Sequence, residues 1–310
     1  MGCNERYWVC AGVDEEAIGV LPHRLSETGL YEDVKADRVA ERVQSFRPQF
    51  ALWTDGAEKR RWVGLPDGSR VDTNDMDNWR FAAGTKFWKE FTRDGVRVET
   101  RLMAKVGPRD EDWVFMSYLW NADESDAVAV PYGAMDARGT AHDVPAVNEC
   151  ISCHGGRISR VLGFSAIQLS ARAQIGEIAL AELGVRGLTT SPADRPFVVP
   201  GDDTERAALG YLHANCGECH NASRPPMEGP RCFEPRNALD VWLRTSALES
   251  VEATPTYETA FDRFAERGQP GQSRIVRRIS ERGFGAMPCV GSERVDEDGV
   301  ALLRRWIAER

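Results

Sequence analysis

Two short stretches, Cys150-Ile-Ser-Cys153-His154 and Cys216-Gly-Glu-Cys219-His220, repeat one five-residue pattern in a chain that has 5 histidines and 8 cysteines among 310 residues. Treating residues as independent, that composition yields the pattern by chance roughly 0.003 times, so two copies call for a chemical reason. A Cys-x-x-Cys pair alone suits zinc or a redox disulfide, and the His that follows each pair narrows the choice. Two thiols on one short helical turn reach the two vinyl groups of a single porphyrin and form thioethers. The next residue then presents its imidazole to the iron. The pattern therefore implies two covalently bound haem c groups. One sits on Cys150 and Cys153 with His154 as proximal ligand, the other on Cys216 and Cys219 with His220. A four-cysteine zinc site would also use two such pairs. However, the 66 residues from Cys150 to Cys216 are long for a zinc ribbon, and zinc gives no reason for either His. A thioredoxin-like motif wants a βαβ setting that the flanking sequence lacks.

The length allows two or three domains with cores of their own. With 42% hydrophobic and 28% charged residues the chain reads as globular. No apolar run reaches the ~18 residues of a membrane-spanning helix. A formal net charge of −9 argues against nucleic acid or an acidic lipid surface as partner. Covalent haem attachment in bacteria follows export, into a compartment where disulfides persist. The expected location is thus the periplasm or the outer surface of the cell envelope. Of the other cysteines, Cys232 and Cys289 both lie around the second motif and are expected to form a disulfide. The start, "MGCNERYW", has no apolar signal-peptide core, so an exported form implies trimming or a different start. Gly2-Cys3 looks like the tail of a bacterial lipobox, which would make Cys3 a lipid anchor. A Cys3–Cys10 disulfide or a free thiol are the alternatives. One acyl chain holds weakly, several hold firmly.

Residues 1–45 form a polar extension in which "LYEDVKADRVAERV" fits a brief helix or extended coil. Over 46–135 the pattern is β. "RRWVGL" leads to "PDGS", "WRFAAGTKFWKEFT" leads to "RDG", and "VRVETRLMAKV" and "WVFMSYLW" follow, which marks antiparallel hairpins. Seven of the nine Trp residues precede residue 121 and are expected to fill a core or its edge, with a glycan or partner surface as the other reading. Only His23 precedes residue 136, too few imidazoles for a copper oxygenase. Residues 136–197 carry the first haem segment, with a helix expected over "AQIGEIALAELG". Residues 198–310 open with an acid-capped helix, "DDTERAALGYLHANC", and close with the amphipathic "DEDGVALLRRWIAER". The expected fold class is α+β, an antiparallel β-sandwich-like N-terminal domain followed by a mostly α-helical dihaem region.

Haem iron in cytochromes c takes His on one side and usually Met or His on the other. Opposite His220 the expected ligand is Met287, in "GFGAMPC", with Pro288 stiffening the backbone beside it. The alternative is that Met287 only packs. Thioether ligation raises the potential and closes the sixth position, which favours electron transfer. Opposite His154 the expected ligand is His142, eight residues before Cys150 on a Gly- and Pro-flanked loop. His213, Met103, Met116, Met135 and an open or water-bound site remain as alternatives. Arg157 and Arg160 are candidates to pair with propionates or are surface residues.

Helix, haem motif, distant Met-Pro and final helix over residues 198–310 resemble a class I cytochrome c domain. More widely, "LWTDGAEKRRWVGLPDGSRVD", "FAAGTKFWKEF", "HDVPAVNECISCHGG", "VLGFSAIQLS", "YLHANCGECHN" and "AMPCVGSERVDEDGVALLRRWI" resemble a family of bacterial dihaem c-type cytochromes with a β-rich N-terminal region. The likeness spans most of residues 51–308. It implies export and electron transfer between a donor and an acceptor redox protein, with no established substrate. Bacterial dihaem peroxidases have a similar length and haem number, but their motifs lie further apart and both halves are helical. A peroxidase-like enzyme with an open first haem is the alternative, and docking through the β-rich domain is a third reading.

Overall fold

The computed structural model describes residues 19–224, 234 and 236–310. Cys3, Cys10 and Cys232 lie outside them.

Among the described residues eight strands come first: β1 Tyr31–Asp33, β2 Arg38–Val39, β3 Val43–Ser45, β4 Glu58–Gly64, β5 Lys86–Arg93, β6 Val96–Lys105, β7 Trp113–Trp120 and β8 Ala127–Ala129. β1 and β2 pair as a ribbon, so of the two readings of that stretch, brief helix or extended, the extended one describes it. β3 to β8 make one antiparallel sheet in chain order. Asp94 and Gly95 join β5 to β6 with φ of 51° and 77°. Such a two-residue left-handed loop matches the twist of the strands it connects.

Period-two alternation sorts the side chains onto two faces. Trp62, Trp88, Leu102 and Met116 lie side by side on β4 to β7 and pack with Leu25, Leu30 and Tyr31 from the N-terminal stretch. On the opposite face, Val63, Phe87 and Met103 join Val161, Phe164, Leu169 and Leu183 in another core. The Trp62 face is covered by the two-stranded β1–β2 ribbon through Tyr31 and Val39, and the other face by loops and helices rather than by a second large sheet. Alternating apolar residues report that a face is covered, not by what. The segment after residue 135 contributes Val161, Phe164, Leu169 and Leu183 to the core that Val63, Phe87 and Met103 also fill. The tryptophans fill these cores: Trp62, Trp79, Trp88, Trp113 and Trp120 are each at most 8% exposed.

Among the described residues six α-helices follow: α1 Ile151–His154, α2 Leu180–Val185, α3 Asp203–Asn215, α4 Pro255–Arg263, α5 Arg274–Ile279 and α6 Glu297–Ala308. α2 is shorter than expected. Gly176 turns with φ of 85°, and the Ile178 N–H bonds to the Ser45 carbonyl at 2.7 Å, so the first half of that stretch is held against the sheet edge. α3 starts in a reciprocal cap, with the Glu205 N–H donating to Asp202 and the Asp202 N–H donating to Glu205. Leu209, Leu212, Leu303 and Trp306 are fully buried where α3 meets α6, each stabilising the fold by about 2 kcal/mol. Gly210 binds this helical half to the strand half, since a Cβ there would lie 2.0 Å from the Phe50 ring. Among the described residues no helix is long and apolar enough to cross a membrane.

Candidate cofactor-binding site

The inner face of the sheet, α1, the end of α3 and the loop between α5 and α6 enclose a cleft of about 1370 Å³. Single ligand pockets run to about 300–1000 Å³, so this cleft has room for more than one such group. Cys150, Cys153, His154, Cys216, Cys219, His220, Met287 and His142 all line it.

The two motifs adopt the same local structure. In the first, the Cys153 and His154 N–H groups donate to the Cys150 carbonyl at 3.2 and 2.9 Å. In the second, Cys219 and His220 donate to the Cys216 carbonyl at 3.0 and 2.8 Å. Each Cys pair therefore shares one turn, with its His closing that turn. Burial pushes the Cys150, Cys216 and Cys219 thiols up to about 12 and raises Cys153 as well. Redox-active and nucleophilic cysteines have lowered values, so these thiols do not fit the thioredoxin-like reading. Burial pushes His154 down to about 3 and His220 to about 4, which leaves both imidazoles neutral, as metal ligands must be. Nδ1 of His154 donates to the Arg160 carbonyl at 2.6 Å. That bond fixes the tautomer and leaves Nε2 as the ligating atom. Thiol pairs on single turns, neutral imidazoles and apolar walls such as Phe87 and Phe115 suit covalently attached haem. Among the described residues no three His, Cys, Asp or Glu side chains gather as a group that could hold a metal ion.

The motifs also touch each other, a feature the sequence analysis missed. A Cβ on Gly156 would lie 1.8 Å from the Glu218 carbonyl oxygen. Arg224 donates to that same carbonyl at 2.7 Å and to the Ser152 carbonyl at 3.1 Å, tying the turns together. The Gly155-Gly156 pair after His154 was the available signal.

Met287 is anchored through its backbone. Its N–H donates to the Arg278 carbonyl, and its own carbonyl accepts from Arg282, both at 2.8 Å. Its side chain packs against the helical core. Cys289 beside it is disulfide-bonded; Cys232, its expected partner, lies outside the described residues.

The alternatives opposite His154 separate as well. Nε2 of His142 lies 2.7 Å from Glu99, so that nitrogen is committed to a carboxylate as the loop is folded here. His213 accepts the Leu243 N–H at Nδ1, at 3.2 Å, which puts its proton on Nε2 and removes that atom as a ligand. Met103 and Met116 line the cleft, whereas Met135 is 49% exposed and does not line it. Arg157 is a structural tie: it lies over Trp242 at 4.1 Å and donates to Asp77 and Asn78.

Burial works to raise the Glu99 carboxyl, but Arg101 and His142 outweigh it and hold the value below 4.5. A depressed folded-state value means that the stabilisation is present above the unfolded value and is lost as pH falls through the folded one. Glu99→Gln is expected to destabilise the chain by about 3 kcal/mol at neutral pH, because it leaves the Arg101 guanidinium without the buried carboxylate that it pairs with. It should also flatten the acid-side decline. Thermal melts of both proteins from neutral pH down to about pH 3 check this, and parallel declines would contradict it.

No protein-family model matches the chain, and neither a curated protein nor a solved structure does. The fold and site define an α+β protein whose antiparallel sheet and helical half enclose two abutting Cys-x-x-Cys-His turns.

Proposed function

We propose that this chain is an exported dihaem c-type cytochrome that carries electrons between redox partner proteins, of the β-rich bacterial family that its sequence resembles. The observation that carries the reading is that two identically wound Cys-x-x-Cys-His turns open onto one cleft of about 1370 Å³. When bound, each haem supplies a one-electron couple. The chain's own part is to hold it. Cys150 and Cys153, and likewise Cys216 and Cys219, would hold the two porphyrins, His154 and His220 would ligate the irons, and Met287 would be a further ligand to the second iron. The close approach of Gly156 to Glu218 holds the two turns together, an arrangement that would suit electron exchange between groups bound there.

Optical and EPR spectra of the oxidised protein test the reading. It predicts low-spin haem with a methionine-to-iron charge-transfer band. Met287→Ala should abolish that band, lower one potential and create a cyanide-binding haem. A spectrum free of haem would end the proposal.

The pairing of His142 with Glu99 favours a second reading for the first haem, an open or displaceable distal position suited to peroxidase-like chemistry. A high-spin signal in the wild type that cyanide converts, with turnover of peroxide, would support it. Two capped irons would exclude it.

A further inference from the structure

The loop that carries Met287 is irregular throughout, over residues 280–296 between α5 and α6. A segment of that kind keeps a side chain in one place through contacts from outside it. Here those contacts come from the strand half of the chain. Asp55 lies in the connection between β3 and β4. Its carboxylate accepts three bonds from consecutive loop residues: from Ser292 Oγ at 2.7 Å, the Glu293 N–H at 2.9 Å and the Arg294 N–H at 3.1 Å. The Trp53 indole N–H adds a bond to the Arg294 carbonyl at 3.4 Å. The path from there to Met287 is short. Arg282 donates through Nε to that same Arg294 carbonyl at 3.0 Å, and through Nη1 to the Met287 carbonyl at 2.8 Å. The connection also grips the other side of the second motif. The Trp53 N–H donates to Oδ1 of Asn215 at 2.6 Å, and Asn215, the residue before Cys216, donates to the Ala51 carbonyl at 3.0 Å. Asp55 itself lines the cleft together with Cys216 and Met287.

We propose that Asp55 is a positioning residue for the second cofactor: it latches the Met287 loop to the strand half, so the β-rich part of the chain decides how firmly Met287 is held. An ionised carboxylate is acceptor-only and has room for several donors, and bonds to it are roughly twice as strong as neutral ones. One side chain can therefore fix a stretch of irregular backbone. What Met287 ligates rests on the haem reading above; the latch does not.

The test uses the full-length, haem-loaded protein and two variants, Asp55→Asn and Ser292→Ala. Asp55 has a left-handed φ of 54°, which Asn tolerates as Asp does, so the first variant removes the charge and one acceptor while the backbone can keep its course. Ser292→Ala deletes a single donor and keeps the test open should the first variant fail to fold. Asp126→Asn is the control. Asp126 also accepts three bonds, from the Ser26 N–H and Oγ and the Ala127 N–H, but it does not line the cleft. Imidazole is titrated while the methionine-to-iron band is followed. It should displace the methionine at a roughly tenfold lower concentration in Asp55→Asn, at a few-fold lower one in Ser292→Ala, and at the wild-type concentration in Asp126→Asn. Equal displacement in wild type and both latch variants, or an equal change in the control, would overturn the proposal. Hydrogen exchange of peptides spanning residues 286–296, read by mass, needs no haem. Faster exchange in Asp55→Asn than in Asp126→Asn supports the latch, and unchanged exchange would overturn it. A chain without haem would end the preceding reading, and the exchange comparison would still decide this one.

Discussion

Gly156→Ala is expected to destabilise the folded chain by about 3 kcal/mol or more, at the upper end of overpacking costs. The added Cβ would lie 1.8 Å from the Glu218 carbonyl oxygen and 2.8 Å from its carbonyl carbon. Both obstacles are backbone, so no side chain can swing aside to relieve the clash. The Arg224 guanidinium, 2.6 Å away, would also have to leave. Since Arg224 joins Ser152 to Glu218, the substitution loosens the joint between the two turns as well as the local fold. Urea unfolding measures the loss as a lower midpoint at unchanged slope. Gly271→Ala is the control, because a Cβ there meets nothing within 4 Å, and it should stay within about 0.5 kcal/mol. If the two variants unfolded alike, the motifs would not abut as described.

The second large effect concerns the cofactor count. Cys150→Ala with Cys153→Ala should leave one haem of two, held by Cys216 and Cys219, and the reciprocal double substitution should leave the other. Each pair sits on its own turn, closed by its own His, so losing one pair does not dismantle the other turn. The spectra of the two half-loaded proteins should differ. The one retaining Cys216 and Cys219 keeps the methionine band assigned to Met287; the one retaining Cys150 and Cys153 lacks it. Loss of both haems from either double variant would show that the sites load as a unit. An unchanged haem content would show that the cysteines are not the attachment points.

Much of the site was legible because the chemistry is local. A Cys-x-x-Cys-His turn needs five consecutive residues, and its i to i+4 backbone bond forms wherever the chain allows a single helical turn. The helices Asp203–Asn215 and Glu297–Ala308 were legible for the same reason, through an acidic cap and an amphipathic period. What was not legible was long-range. Alternation on β4 to β7 shows that both faces are covered, but a second sheet and a layer of loops and helices leave the same pattern. His142 looked free on its loop, since nothing near it in sequence announces Glu99, 43 residues earlier, as its partner. That Arg61, Lys89 and Arg101 are neighbours was invisible for the same reason, because they meet only in the strand register. Two short helices, Pro255–Arg263 and Arg274–Ile279, went unread. The second is only six residues long, and its apolar positions become a face only against the helical core.

The most direct test of the central claim is haem stoichiometry of the chain matured in an exporting bacterial host, by pyridine haemochrome together with intact mass under denaturing conditions. The account predicts two haems per chain that remain attached when the protein is unfolded. A chain mass with no covalent addition, or a haem lost on denaturation, would contradict it.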